Sequence, residues 1–173
     1  QSDTLFSSLI NCYALLYPDE VEPLIEAFKK KEIRISSAFP SLETLGGYKV
    51  FFLPKPMSYH RIAGEEIKKV KRIQYISLGV WKDAPRVEEL VNYPLMGGRF
   101  ALTTQELQQL NLPSNPDKLR SLSPMSEDIY PKVRAHATDQ TDVLYHQAVV
   151  QLNEIQDKNA AAIQTQFYFL LEE

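Results

Sequence analysis

The chain has 173 residues, of which 44% are hydrophobic and 24% charged, and its net charge is −3. That length supports a core without staples, and that composition excludes a disordered chain. An acidic balance gives no global pull toward nucleic acid, so any such binding must rest on local patches.

Cys12 is the one cysteine. It excludes an intramolecular disulfide framework and fits a reducing compartment, so the expected home is the cytoplasm. No apolar run approaches the roughly 20 residues that cross a bilayer, and Gln1 to Thr4 does not read as a signal peptide.

Helical spacing opens the chain. Ser2 and Asp3 suit an N-cap, and Leu5, Phe6, Leu9, Ile10, Tyr13 and Leu16 recur at i, i+3/i+4 until Pro18. A second helix is expected from Asp19 to Lys31, with Val21, Leu24, Ile25 and Phe28 on one face. Its closing lysines, Lys29 to Lys31, complement the helix dipole. Ile33 to Pro40 reads as a short strand leaving into a loop. Gly46-Gly47 reads as a turn, and Tyr48 to Leu53 as a strand cut off by Pro54 and Pro56.

An irregular connection, Met57 to Glu66, carries Tyr59, His60 and Arg61. Lys68, Lys69, Lys71 and Arg72 then form a basic cluster that runs straight into Ile73–Val80. That stretch is rich in β-branched and aromatic residues and is expected as a strand, with Ile76, Leu78 and Val80 facing the core. Pro85 suits a first helical position ahead of Val87, Leu90 and Val91. Thr103-Thr104-Gln105-Glu106 resembles a capping box for a small helix through Leu110. Asn111 to Asp128, rich in Pro, Ser and Asn, reads as a surface loop. Strands are expected at Lys132–Ala137, Val143–Leu152 and Ile163–Leu171, with a loop over Asn153 to Ala162.

Enzyme signals are weak: there is no nucleophile elbow, Walker loop or dinucleotide fingerprint. His60, His136 and His146 are scattered. Asp139, Asp142 and His146 would converge only on a helix, where a strand is expected, so neither a metal site nor a cofactor is expected. Tyr59-His60-Arg61 is the best catalytic constellation, a general base beside an arginine that could cleave RNA without metal. Three adjacent loop residues share no face, however. The basic cluster admits two readings, a phosphate footprint or a guard against aggregation of the following strand. Tyr59, Tyr75 and Trp81 offer stacking surfaces for single-stranded bases.

Several stretches then occur in a telling order: SDTLFSSLINCYALL, RISSAFP, FFLPKP, KKVKRIQYISLGVW, and LYHQAVVQL with QFYFLLEE. Together they resemble the subunit-four family of type III-A CRISPR (Csm) effectors, members of the RAMP superfamily that cap the 5′ end of the guide. The resemblance runs from Ser2 to about Trp81 and from about Pro131 to Phe169. It implies an α+β fold of the ferredoxin-like or RRM-like RAMP kind, as a single domain with an irregular insertion around 82–130. Relatives begin with an additional strand and continue into a glycine-rich loop, so the fold is expected to be incomplete at both ends. His136-Ala137 also stands where relatives often carry an Asp-Arg pair.

The implied role is that of a non-catalytic, RNA-binding subunit in a hetero-oligomeric complex away from membranes. It would hold the 5′ handle of the guide RNA and join a large polymerase-like signalling subunit to the backbone RAMP subunits. On that basis Ser2 and Thr4, at the start of the first helix, and Ser36 and Ser37 would meet the RNA. Lys55, His60, Arg61, Lys68, Lys69, Lys71, Arg72, Lys132 and Arg134 would complete its basic surroundings. Two other readings stand beside this one. One is a metal-independent RAMP-type RNA-processing endonuclease using His60, and the other a protein-interaction module whose cations are merely solvated.

Overall fold

Apolar spacing at the start of the chain does produce a helix, α1, over Ser2–Leu16. The computed structural model describes residues 2–56, 67–83, 86–134, 143–155 and 162–172. The chain divides into two compact units, Gln1–Ser41 with Phe167–Glu173, and Leu42–Gln166.

In the first unit Pro18, which has no N–H to donate, opens a 3-10 turn at Pro18–Glu20, and α2 follows at Val21–Lys29. Phe6 and Phe28 meet edge to face at 4.9 Å between ring centroids, holding the two helices together. The second helix stops two residues before the expected Lys31. Lys31 takes a φ of 64°, while the N–H groups of Glu32 and Lys31 donate back to the carbonyls of Ala27 and Phe28. This is a Schellman closure. Strand β1, Arg34–Ile35, pairs antiparallel with β10, Leu171–Glu172.

The second unit is built on a mixed sheet. In chain order its elements are β2 (Phe39–Thr44), β3 (Lys49–Pro54), α3 (Ile67–Arg72), β4 (Tyr75–Ser77), α4 (Leu78–Asp83), a 3-10 helix (Val87–Asn92), β5 (Leu95–Met96), β6 (Phe100–Ala101), α5 (Thr104–Gln109), α6 (Pro116–Ser121), β7 (Met125–Arg134), β8 (Val143–Leu152) and β9 (Ile163–Tyr168). Strands β2 and β9 run across the division between units. The sheet order is β5-β6-β4-β3-β2-β9. β3 and β4 are antiparallel with Phe52 opposite Ser77, whereas β4 and β6 are parallel with Tyr75 opposite Phe100. β7 and β8 form a separate antiparallel ribbon, with Ile129 opposite Ala148.

Two apolar clusters fill this unit. One gathers Leu42, Val50, Phe52, Met96, Phe100, Leu102, Leu107 and Ile163. The other gathers Val70, Ile73, Ile76, Val80, Leu90 and Ala101, and seats α3 and α4. Among the described residues, no helix is long and apolar enough to cross a membrane.

The structure corrects several expectations. Ile73–Val80 is not one strand: only Tyr75–Ser77 is extended, and the chain turns helical at Leu78. Ser77 Oγ accepts the Val80 N–H at 3.1 Å, a cap that starts α4. Ile76 and Val80 are fully buried as expected, and Leu78 is half-buried. The chain after RISSAFP is strand β2, not loop, and Pro40 lies inside it. The stretch 82–130 is not irregular, since it supplies β5 and β6 to the sheet and both α5 and α6. The expected loop Asn111–Asp128 contains α6 and the start of β7. Its Asn115 caps α6 by accepting the N–H groups of Asp117 and Lys118 at 2.9 and 3.2 Å. The strand expected at Lys132 begins earlier, at Met125. The strand expected over Ile163–Leu171 is broken after Tyr168. Pro85, His136, Asp139 and Asp142 lie outside the described residues, and His146 sits on β8.

Candidate nucleic-acid interface

The basic cluster forms α3, and burial decides which way it faces. Val70 and Ile73 are each 1% exposed, so the helix is anchored on the core by one side. Lys68, Lys69, Lys71 and Arg72 stand exposed on the other. Lys55 finishes the anchorage. It is 6% exposed, and its ammonium donates to the Val70 carbonyl at 2.5 Å, satisfying a carbonyl near the helix end. Burial pulls the Lys55 pKa below its ordinary value of 10.5. The expectation that Lys55 neutralises a phosphate is therefore corrected: its charge is turned inward and holds α3 in place.

Backbone hydrogen bonds carry this anchored helix to two elements distant in sequence. Lys55 N–H donates to Gln74 O at 2.8 Å, and the N–H groups of Gln74 and Tyr75 donate to Arg99 O at 2.9 and 3.1 Å. Arg99 closes the turn joining β5 to β6, where its N–H donates to Met96 O at 3.1 Å. The turn needs glycine, because Gly97 and Gly98 have φ of 59° and 68°. Gly97 N–H in turn donates to Leu119 O at 3.2 Å, tying the turn to α6 next to Arg120.

These elements enclose a cavity of about 500 Å³, lined by Lys69, Lys71 and Arg72 of α3, by Arg99, and by Arg120 of α6. Gln74, Val91, Leu95, Gly97 and Gly98 also line it, and among the described lining residues there is no carboxylate. Five cations around one space repel one another and favour an anionic occupant. Arg99 and Arg120 escaped the sequence reading because both lie in a stretch without motif, outside any run of cations like that of α3. The one available signal was the Gly97-Gly98 pair directly before Arg99.

The other expected contacts are dispersed. In the first unit, Ser2 opens α1 and Thr4 is exposed within its first turn. The Ser36 hydroxyl donates to Ser37 O at 2.8 Å and accepts the Leu170 N–H at 2.8 Å, so its hydrogen is engaged within the unit. Ser37 is half-buried. In the second unit, Lys132 is exposed on β7 and Arg134 ends that strand. Tyr59, His60 and Arg61 lie outside the described residues. Tyr75 is half-buried and gives one face of its ring to Phe100, stacked at 4.9 Å between centroids, which leaves at most the other face for a base. Trp81, 48% exposed on α4, retains an open surface.

No family model matches the chain, and no curated protein matches it. Among solved structures, the fold matches a chain of the "Crystal structure of Csm3-Csm4 subcomplex in the type III-A CRISPR-Cas interference complex". The TM-score is 0.64 at 24% sequence identity, over 99% of this chain and 51% of that one. The resemblance implied by the motifs holds at the level of fold. This chain thus spans about half the length of its structural neighbour, and what the two share is an α+β architecture with a mixed sheet.

Proposed function

We propose that this chain is a non-catalytic, RNA-binding structural subunit of a type III-A CRISPR ribonucleoprotein in the cytoplasm. It holds the 5′ handle of the guide RNA and joins a large polymerase-like subunit to the backbone subunits in a hetero-oligomeric complex. The observation that carries the reading is the exposed cation face of α3, set on a fold shared with a chain of the Csm3-Csm4 subcomplex. A solvated cluster guarding a strand would need no anchorage, yet buried Val70, Ile73 and Lys55 fix this one rigidly. Cations held in place on a core give phosphates a defined register at a smaller entropic cost than cations on a mobile loop.

The test is co-purification. The full chain, expressed with a CRISPR array and the remaining subunits, is expected to retain guide RNA and to elute with a large complex. Substituting Lys68, Lys69, Lys71 and Arg72 by alanine is expected to weaken that retention and flatten its salt dependence. Elution without RNA, or unchanged retention in the substituted chain, overturns the reading.

A further inference from the structure

Arg99 and Arg120 add a second source of charge to the α3 cluster. We propose that the cavity they share with Lys69, Lys71 and Arg72 is a seat for clustered phosphates. It would take two or more adjacent phosphate groups, of a single-stranded RNA or of a nucleoside polyphosphate. The site goes beyond the guide-RNA reading, because binding of a free polyphosphate stands whether or not the chain holds a guide.

The charge balance is the first argument. Protein surfaces ordinarily intersperse both signs, yet the described residues of the lining include five cations and no carboxylate. Among the described residues, no carboxylate pairs with Lys71, Arg72, Arg99 or Arg120. Three of the five, Arg72, Arg99 and Arg120, are arginines on separate elements, and each presents a planar donor fork that matches phosphate oxygens in a bidentate way.

The frame is the second argument. Arg99 is fixed at its backbone by the N–H groups of Gln74 and Tyr75, and the turn before it by the bond from Gly97 to Leu119. The glycines keep that frame tight and the space open. A Cβ on Gly97 would stand 3.2 Å from Leu122 O, and one on Gly98 would stand 3.9 Å from Arg120 Cγ, so a longer side chain there would crowd the arginine stem. Size is the third argument. About 500 Å³ exceeds what one phosphate fills, and Val91 and Leu95 offer apolar surface to a sugar or base.

The experiment measures binding of two probes, inorganic tripolyphosphate and a short single-stranded RNA, to the full chain by calorimetry and fluorescence anisotropy. The test variant is Arg99→Gln with Arg120→Gln. The control is Lys30→Gln with Lys118→Gln, which removes the same charge from exposed positions outside the lining. Arg99 and Arg120 are exposed, so an unchanged melting temperature is expected in the test variant. Lys71→Gln with Arg72→Gln, from α3, repeats the test independently. Affinity is expected to fall about tenfold or more, with the RNA salt slope reduced by about 1.4 for two lost phosphate contacts, while the control changes little. A fall on both probes identifies a seat open to free polyphosphate, and a fall on RNA alone a seat reached only by a strand. Both support the proposal. Test variants that bind like the control overturn it, as does a wild-type chain that takes an Asp/Glu-rich peptide and neither phosphate probe. A chain that is co-expressed with a CRISPR array and the remaining subunits, elutes without RNA and still binds tripolyphosphate sinks the guide reading and leaves the seat standing.

Discussion

Gly79 donates its backbone N–H to Glu106 Oε1 at 3.1 Å, and a Cβ added to Gly79 would stand 2.6 Å from that same oxygen. The carboxylate is a junction. Its Oε2 accepts the Ser77 hydroxyl at 2.5 Å, the Thr103 N–H at 2.9 Å and the Thr103 hydroxyl at 3.0 Å. Glu106 thereby completes the capping box of α5 and holds the first turn of α4 together. Gly79→Ala must push this carboxylate out of place, at an expected cost of about 2 kcal/mol or more. At Gly46 the nearest atom to an added Cβ is 3.8 Å away, and Gly46→Ala is expected to shift stability by less than about 0.5 kcal/mol. Urea unfolding of both variants checks the contrast, and equal midpoints would remove the junction from the account.

The same junction shows where the sequence was legible and where it was not. The Thr103–Glu106 box, the α1 and α2 stripes, and the strands at Tyr48–Leu53 and Val143–Leu152 follow from neighbours within a few residues, and reading them needed nothing distant. The helical turn at Leu78 is different. Its residue types favour a strand, and a carboxylate 27 positions beyond Gly79 in the chain decides otherwise. The site divides in the same way. The α3 cations were legible because they are consecutive, whereas Arg99 and Arg120 join them only through backbone bonds to Gln74 and Leu119. Lys55 looked like a phosphate ligand because the sequence carries no sign of the Val70 carbonyl that receives it.

Lys55 gives a pH prediction. Its pKa in the fold lies below 10.5 because burial penalises the charged form. Between that lowered value and 10.5 the unfolded chain binds more protons than the folded one, so the Lys55 contribution to stability rises with pH through this window. Replacing Lys55 by methionine removes the linkage along with the bond to Val70. The stability of the wild type relative to Lys55→Met is therefore expected to increase between about pH 7 and about pH 10. Urea unfolding at the two values measures it, and a difference that stays flat or falls means the ammonium is not buried.

Lys68 separates two ways of using the α3 charge. It is exposed like its neighbours, but it does not line the cavity, whereas Lys69, Lys71 and Arg72 do. If phosphates sit in the cavity, Lys71→Ala reduces the RNA salt slope by about 0.7, the value for one contact to a single strand, and Lys68→Ala reduces it less. Equal reductions in anisotropy titrations would mean a diffuse electrostatic face in place of a defined seat.

The ring of Tyr75 offers the last discrimination. It stacks on Phe100 with an interplanar angle of 14°, and Phe100 in turn meets Phe52 edge to face at 5.2 Å. Phe100 takes one face of this half-buried ring, and Tyr75→Phe, which keeps the ring, is expected to leave RNA affinity unchanged, while Trp81→Ala tests the exposed alternative. What Tyr75→Phe does change is alkaline stability. Burial first, and then the charge of Glu127, raise the Tyr75 pKa above 10.0, against a smaller opposing effect from Arg99. The unfolded chain then releases this proton before the folded one does, so the contribution of Tyr75 is full below pH 10.0 and is lost as pH rises through the folded value. Tyr48 and Tyr168, whose pKa values burial also raises, act with the same sign and remain in the variant. Tyr75→Phe is therefore expected to lose less stability than the wild type above pH 10, but not to lose the alkaline transition altogether. Melting curves on either side of that pH decide it, and identical alkaline losses would show that the Tyr75 hydroxyl is solvated in the fold.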